Sequence, residues 1–290
     1  MAARQLPLPG EIVKKSNALC RASWSSDAVW EARLIAIVAS KVNQDDKEFY
    51  EYEIPISEIF KGHKGGTTYK LLDETTDKAV TRLVKIREDD GSVSKYTVFA
   101  KCRISENRNT ILVSFHPDLK PHFLQLKNRF TEINLWEFLS LPSTYSQRVF
   151  EILKSWSDKS EIIISLQELF DMLEVPEGMK RYPDFRRKIL EKAHKDINKT
   201  TLEYEWEPIK QGRTVIAIRF IFNKKAIALK EEEKQRKSRA KTIKRDNELF
   251  LLALPCAKEK KKGGGCKSED SKSDICDMCR KMKMLEQSDI

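Results

Sequence analysis

One order of local patterns is written twice along this chain, and such a duplication restricts the fold to a unit that buries its own apolar surface and then repeats. The first copy opens at Ser26-Asp27, an N-cap signal for a helix over residues 28–42. Trp30, Leu34, Ile35, Ile37 and Val38 make that helix apolar nearly all round, the mark of a central buried element. Phe49 to Ile56 alternates as a strand does, and Ser57 is placed to cap a short helix through Phe60. Gly62-His63-Lys64-Gly65-Gly66 breaks that helix and Thr67-Thr68 can cap the next. There Leu72, Thr76, Ala79, Leu83 and Ile86 recur at spacings of 4, 3, 4 and 3, which predicts a helix running to about Arg87. Tyr96, Val98, Ala100, Cys102 and Ile104 then alternate strictly, and after the turn Ser105 to Asn109 the alternation returns at Ile111, Val113 and Phe115, a β-hairpin.

The second copy repeats the series. Pro142-Ser143 starts a helix carrying Tyr145, Val149, Ile152, Leu153 and Trp156, and Glu161 to Ile164 is a short buried-type strand. Ser165 caps a helix whose Gln167-Glu168-Leu169-Phe170 echoes Ser57-Glu58-Ile59-Phe60, and Val175-Pro176-Glu177-Gly178 ends it. From about Pro183 to Asn198 a longer helix keeps Phe185, Ile189, Ala193 and Ile197 on one face. Strands over Leu202 to Trp206 and Thr214 to Phe222, joined through Gln211-Gly212-Arg213, close the unit. The expected fold class is α+β: two tandem winged-helix domains from an internal duplication, at residues 1–129 and 130–230, followed by a basic, partly disordered tail at 231–290.

A helix-turn-helix beside a wing is a scaffold for entering the major groove of DNA, so the charge on each long helix decides what it can do. In the second copy, the face opposite the apolar stripe carries Arg186, Arg187, Lys188, Lys192, Lys195 and Lys199, preceded by Lys180 and Arg181, against only Asp184, Glu191 and Asp196. The first copy's helix offsets Lys70, Lys78, Arg82, Lys85 and Arg87 with Asp73, Glu74 and Asp77. The second copy is therefore the expected main reader, with Arg186, Arg187 and Lys188 toward base edges and Lys192, Lys195 and Lys199 toward phosphates. Lys180, Arg181, the wing residue Arg213, and Thr67, Thr68, Lys70 and Lys78 of the first copy complete the candidate set. The overall net charge of +10 adds less than its size implies, because residues 223–262 alone hold fourteen Lys and Arg against six acids.

Several motifs meet a known family. Lys14 to Leu19, Glu31 to Ile35, Phe130-Thr131, Ser143 to Lys154, Tyr182 to Phe185, Lys192 to Asn198 and Gly212-Arg213 resemble, in that order, the iteron-binding theta-type plasmid replication initiators, the Rep proteins. The resemblance covers about Ile12 to Phe222. It implies a protein that binds directly repeated double-stranded DNA sites at an origin and helps open an adjacent AT-rich segment. It also implies a homodimer, made through the N-terminal winged helix in equilibrium with monomer, that represses its own promoter or links origins. The host chromosomal initiator and the replicative helicase are the implied partners, in the bacterial cytoplasm.

Other classes fare worse on the residues. The longest apolar run, Leu34 to Ala39, is far too short for the roughly 20 residues of a membrane span, and Met1 to Pro7 has no apolar signal core. Cys20 and Cys102 stand apart in apolar-patterned segments, as in a reducing compartment. A rolling-circle nickase would need a His-x-His pair near a tyrosine, and His63, His116, His122 and His194 supply none; the Gly62 to Thr68 loop lacks the Gly-Lys-Ser/Thr ending of a phosphate loop. No enzyme activity and no cofactor are expected. Cys256, Cys266, Cys276 and Cys279 share only one zinc-like spacing, so free thiols are the expectation there. A winged-helix transcriptional regulator without a replication role uses the same reading heads, and the residues do not separate it from an initiator.

Overall fold

The computed structural model describes residues 12–43, 45–61, 67–88 and 90–222. The tail expectations and the Gly62 to Gly66 loop lie outside the described residues.

Strand β1 (Ile12–Ser16) leads into a single-turn helix α1 (Asn17–Cys20), which Ser16 caps by accepting from the Leu19 amide at 3.1 Å. The first winged unit follows: α2 (Val29–Ser40), β2 (Tyr52–Pro55), α3 (Ile56–Ile59), α4 (Thr68–Thr81), then β3 (Leu83–Arg87), β4 (Val93–Thr97), β5 (Phe99–Ile104) and β6 (Thr110–Phe115). After α5 (Lys120–Phe123), β7 (Phe130–Asn134) returns to pair antiparallel with β1, and α6 (Leu135–Ser140) precedes the second unit. That unit comprises α7 (Thr144–Lys154), β8 (Glu161–Ser165), α8 (Leu166–Met172), a long helix over residues 182–197, β9 (Glu205–Gln211) and β10 (Thr214–Ile221).

The duplication holds at the level of sheet order. The first sheet runs β2-β6-β5 and the second β8-β10-β9, so in each copy the strand before the helix-turn-helix pairs with the last strand of the wing. Each sheet closes one side of a core. Leu34, Ile37, Val38, Ile54, Ile111 and Val113 are fully buried in the first, and Phe185, Ile189, Ala193, Ile197 and Ile218 in the second. Each large side chain among them contributes roughly 1.5–3 kcal/mol by leaving water.

The long helix shows how a sequence period sets local geometry. Four residues advance an α-helix by about 400°, so a stripe at strict spacing of four slips by about 40° per step. Phe185, Ile189, Ala193 and Ile197 keep that spacing, and all four have no exposed surface. The chain reconciles the two with a π-helical stretch, Arg186–Leu190, between α9 (Tyr182–Phe185) and α10 (Glu191–Ile197). There the Glu191 amide bonds the Arg186 carbonyl, and the extra residue in that turn takes up the drift.

Several boundaries differ from those the patterns predict. The helix expected to reach Arg87 ends at Thr81, because Arg82 turns extended (ψ 118°) and Leu83–Arg87 pairs with Val93–Thr97. Leu83 and Ile86 satisfied a helical spacing while Val84 and Ile86 satisfied a strand's alternation, and the strand won with the Ser23–Lys85 backbone bridge fixing its far edge. The single strand expected over Tyr96 to Ile104 breaks at Val98, whose carbonyl accepts from His116, so β4 and β5 serve different sheets. Ser26-Asp27 does not cap α2: Ala28 is the N-cap, and the Glu31 carboxylate reaches back to the Asp27 amide at 3.2 Å. Nor does Ser57 cap α3, which starts after Pro55 with the Ile56 amide on the Asn109 carbonyl. The strand expected from Leu202 begins at Glu205, since Leu202 and Tyr204 are buried as part of the preceding loop. Ser143 and Ser165 cap as expected, on Ser146 and Glu168.

Candidate nucleic-acid interface

The long helix of the second unit is held from behind and bare in front. Behind, its apolar stripe fills the core, and the Ser146 hydroxyl on α7 donates to Asp196 at 2.7 Å. At its C-terminal end, His194 Nε2 and the Asn198 side-chain amide both meet the Tyr204 carbonyl, which ties the helix to the start of the wing. In front, Arg186, Arg187, Lys188, Lys192, Lys195 and Lys199 are all exposed, as is Arg181, with Lys180 half-buried. The candidate cations of the second unit are thus exposed along one helix, and in the wing turn Gly212 takes the left-handed conformation (φ 61°) that a tight β9–β10 turn needs, with the exposed Arg213 at the tip.

Two carboxylates organise the cations nearest the helix start. Asp184 lies 3.2 Å from Arg187 and 3.8 Å from Lys188, and Glu191 accepts from Arg186 Nε at 2.7 Å. The Glu191 hydrogen bond and charge raise the Arg186 guanidinium above its ordinary value. Lys180 meets Glu177 at 2.8 Å. Among the described residues, Lys192, Lys195, Lys199 and Arg213 have no carboxylate within ion-pair distance. Such pairs at a water-facing surface are worth about 0–1 kcal/mol, so a phosphate or a guanine edge can displace them at small cost.

The first unit is different in kind. Thr67 stands at the N-cap position of α4 and Thr68 starts the helix. Lys70 lies 3.8 Å from Glu74, and Lys78 meets the exposed Asp27 at 3.3 Å, where Arg82 also binds Asp27 and Glu31. The exposed face of α4 keeps Asp73, Glu74 and Asp77, and the wing turn folds back on it: Arg108, itself in the left-handed region, pairs with Asp73 and lies over the Tyr69 ring at 5.3 Å. Much of the basic charge that the sequence assigns to this helix is therefore engaged within its own unit.

Sequence reasoning missed one chemical feature, the charge cluster buried between β1 and α7. Lys15 Nζ meets Glu151 at 2.5 Å, and Glu151 also binds Arg148. Arg148 in turn donates to the Ala22 carbonyl at 2.8 Å and lies against the Trp24 ring. All three charged side chains are almost wholly buried. The motif Ser143 to Lys154 contained the signal, since Arg148 and Glu151 occupy helix positions flanked by Val149, Phe150 and Ile152 that must face inward.

Two winged-helix units in tandem, one with an exposed basic helix beside a basic wing tip, define a double-stranded DNA-binding protein of the helix-turn-helix class. The match to family models makes that specific. Residues 12–154 match the first winged-helix domain (WH1) of the initiator replication proteins, and residues 165–222 match the second winged-helix domain (WH2) of the initiator Rep proteins. The chain belongs to this replication-initiator family. Among solved structures, the Pi initiator protein in complex with iteron DNA superposes with a TM-score of 0.61 at 17% identity, covering 75% of this chain and 100% of that one. A structure of RctB domains 2–3 aligns at a TM-score of 0.37 and 9% identity, over 68% of this chain and 82% of that one.

Proposed function

We propose that this protein is a plasmid replication initiator that binds directly repeated DNA sites at its origin, reads bases mainly through the long helix of the second unit, and opens the adjacent duplex by binding free energy alone. The observation that carries this reading is the joining of both family domains in one chain with a single, strongly basic recognition face in the second. Arg186, Arg187 and Lys188 lie in the first turns of the helix, the part that meets the groove floor in this docking geometry. Lys192, Lys195, Lys199 and Arg213 are assigned to phosphates, with Lys180 and Arg181 at the entry. Thr67, Thr68, Lys70 and Lys78 are assigned weaker backbone contacts from the first unit. The Pi protein was solved on iteron DNA, which supports the same class of site here. Dimerisation through the first unit, repression of its own promoter, and recruitment of the host initiator and helicase complete the proposal.

The test joins footprinting to replication. Full-length protein should protect tandem repeats of about two helical turns beside an AT-rich tract, and a plasmid carrying only this gene and those repeats should be maintained in its native host. Protection of a single palindrome with no maintenance would replace this reading with that of a transcriptional regulator.

A further inference from the structure

One element of the first unit has no counterpart in the second. Between the helix-turn-helix and the wing, the first copy inserts the β3–β4 hairpin, whereas the second passes from its long helix directly to β9. This hairpin touches the other unit at a defined point. Lys85 on β3 extends its ammonium to Glu174 at 2.8 Å, and the Ser25 hydroxyl donates to the other Glu174 oxygen at 3.1 Å. Both donors are rigidly presented: Ser23 and Lys85 exchange backbone hydrogen bonds at 2.9 and 3.0 Å, and the intervening Trp24 is buried and sends its amide to the Met172 carbonyl.

Glu174 occupies an unusual place. It lies in the turn that leaves α8 toward the long helix, between the buried Leu173 and Val175, and its φ of 44° puts a non-glycine residue in the left-handed region. That conformation costs a side chain about 1–2 kcal/mol, and strain of this kind persists where the surroundings over-determine it. Its carboxylate accepts from Lys85 and Ser25, both N-terminal to the second unit.

We propose that Glu174 is a positioning residue through which the β3–β4 hairpin of the first unit fixes where the second unit's long helix sits, and so sets the spacing between the two DNA segments that the two units contact. This rests on the reading that both units touch one duplex. The clamp acts on the turn that leads into the residues assigned to base contact, and it is made by the one element the duplication did not copy.

The experiment is selection of sites from a random duplex library by the full-length chain, with thermal stability measured in parallel. The wild-type protein should select a two-part site with one sharp spacing. Glu174→Gly removes the clamp and at the same time relieves the left-handed strain, so it should melt no lower than wild type. Glu174→Gly and Lys85→Met should each recover both parts of the site while the preference for the native spacing over a one-base-pair change falls about threefold to fivefold, the scale of a half-exposed ion pair. Exchanging the charges, Lys85→Glu with Glu174→Lys, should sharpen the spacing again. Spacing as sharp in both single variants as in wild type, or a charge exchange no sharper than either, would overturn the proposal. A one-part wild-type site would overturn it too while leaving DNA recognition standing. If the wild-type chain selected no motif, DNA recognition itself would fall, and the proposal with it.

Discussion

Glu151 is a buried carboxylate paired with two buried cations, and neither of them is assigned to DNA. Burial alone would raise its carboxyl, but the Lys15 ammonium and the Arg148 guanidinium outweigh burial and hold it below its ordinary value. Removing the anion leaves two cations facing each other in the interior, so Glu151→Leu should cost about 3–5 kcal/mol. Lys15→Met should cost clearly less, because Glu151 keeps Arg148 and Arg148 keeps the Ala22 carbonyl. Urea unfolding of the two variants checks the order, and equal losses would mean that the cluster is not organised around the carboxylate. The pH dependence has a fixed sign. A carboxylate depressed in the folded state adds stability that is fully present above the unfolded-chain value near 4.5 and is lost as pH falls through the lower folded value. The stability gap between wild type and Glu151→Gln should therefore be constant from pH 7 to 5 and narrow on acidification below 4.5. The same residues explain what the family motifs encode. Lys15, Arg148 and Glu151 make the buried cluster, Thr131 donates to Asn17 at 2.6 Å, and Asn198 holds the Tyr204 carbonyl. The segments that carry the resemblance are largely scaffold, while the exposed cations that would touch DNA lie mostly between them.

Helices and strands were legible where a single period governed a segment and illegible where two periods fitted the same letters. The stripe from Phe185 to Ile197 read directly as a helix, and its repeated spacing of four even held the trace of the π-turn, since no spacing of three relieves the drift. Leu83 to Arg87 failed because Leu83 and Ile86 extend the α4 stripe while Val84 and Ile86 alternate, and only the partner strand Val93–Thr97, separated in sequence by a polar turn, decides between the two. The pairing of β1 with β7 joins residues more than a hundred positions apart and leaves no local signal at all. Caps divide the two copies cleanly. Ser165 accepts from the Glu168 amide at the start of α8, whereas the corresponding cap position of α3 is Pro55 and Ser57 is exposed beyond it. Ser165→Ala should therefore destabilise the protein by about 1 kcal/mol, while Ser57→Ala stays within about 0.5 kcal/mol of wild type. Equal effects in parallel thermal melts would show that the echo between Ser57-Glu58-Ile59-Phe60 and its second-copy counterpart extends to capping, against the hydrogen bonds seen.

For the whole molecule, the question is how a basic recognition face coexists with a larger basic charge elsewhere in the chain. Residues 180–199 carry eight Lys and Arg against three acids, and the stretch 223–262 carries fourteen against six, beyond the last residue of the matched family domain at 222. Each phosphate neutralised by a cation steepens the fall of log affinity with log salt by about 0.9, and that term is blind to sequence. Base contacts by arginine instead separate right from wrong sequence by about 1–3 kcal/mol at each position. If the two stretches divide these roles, a chain ending at residue 230 should bind more weakly at low salt and show a shallower salt slope, yet keep its ratio of affinities for repeat and non-repeat duplexes. Arg187→Ala in the full-length chain should do the reverse, lowering that ratio about tenfold or more, with little change of slope. Titrations of both variants at several salt concentrations measure slope and ratio together. A truncated chain that lost its discrimination would place sequence reading beyond residue 230, outside the helix whose geometry the duplicated unit builds.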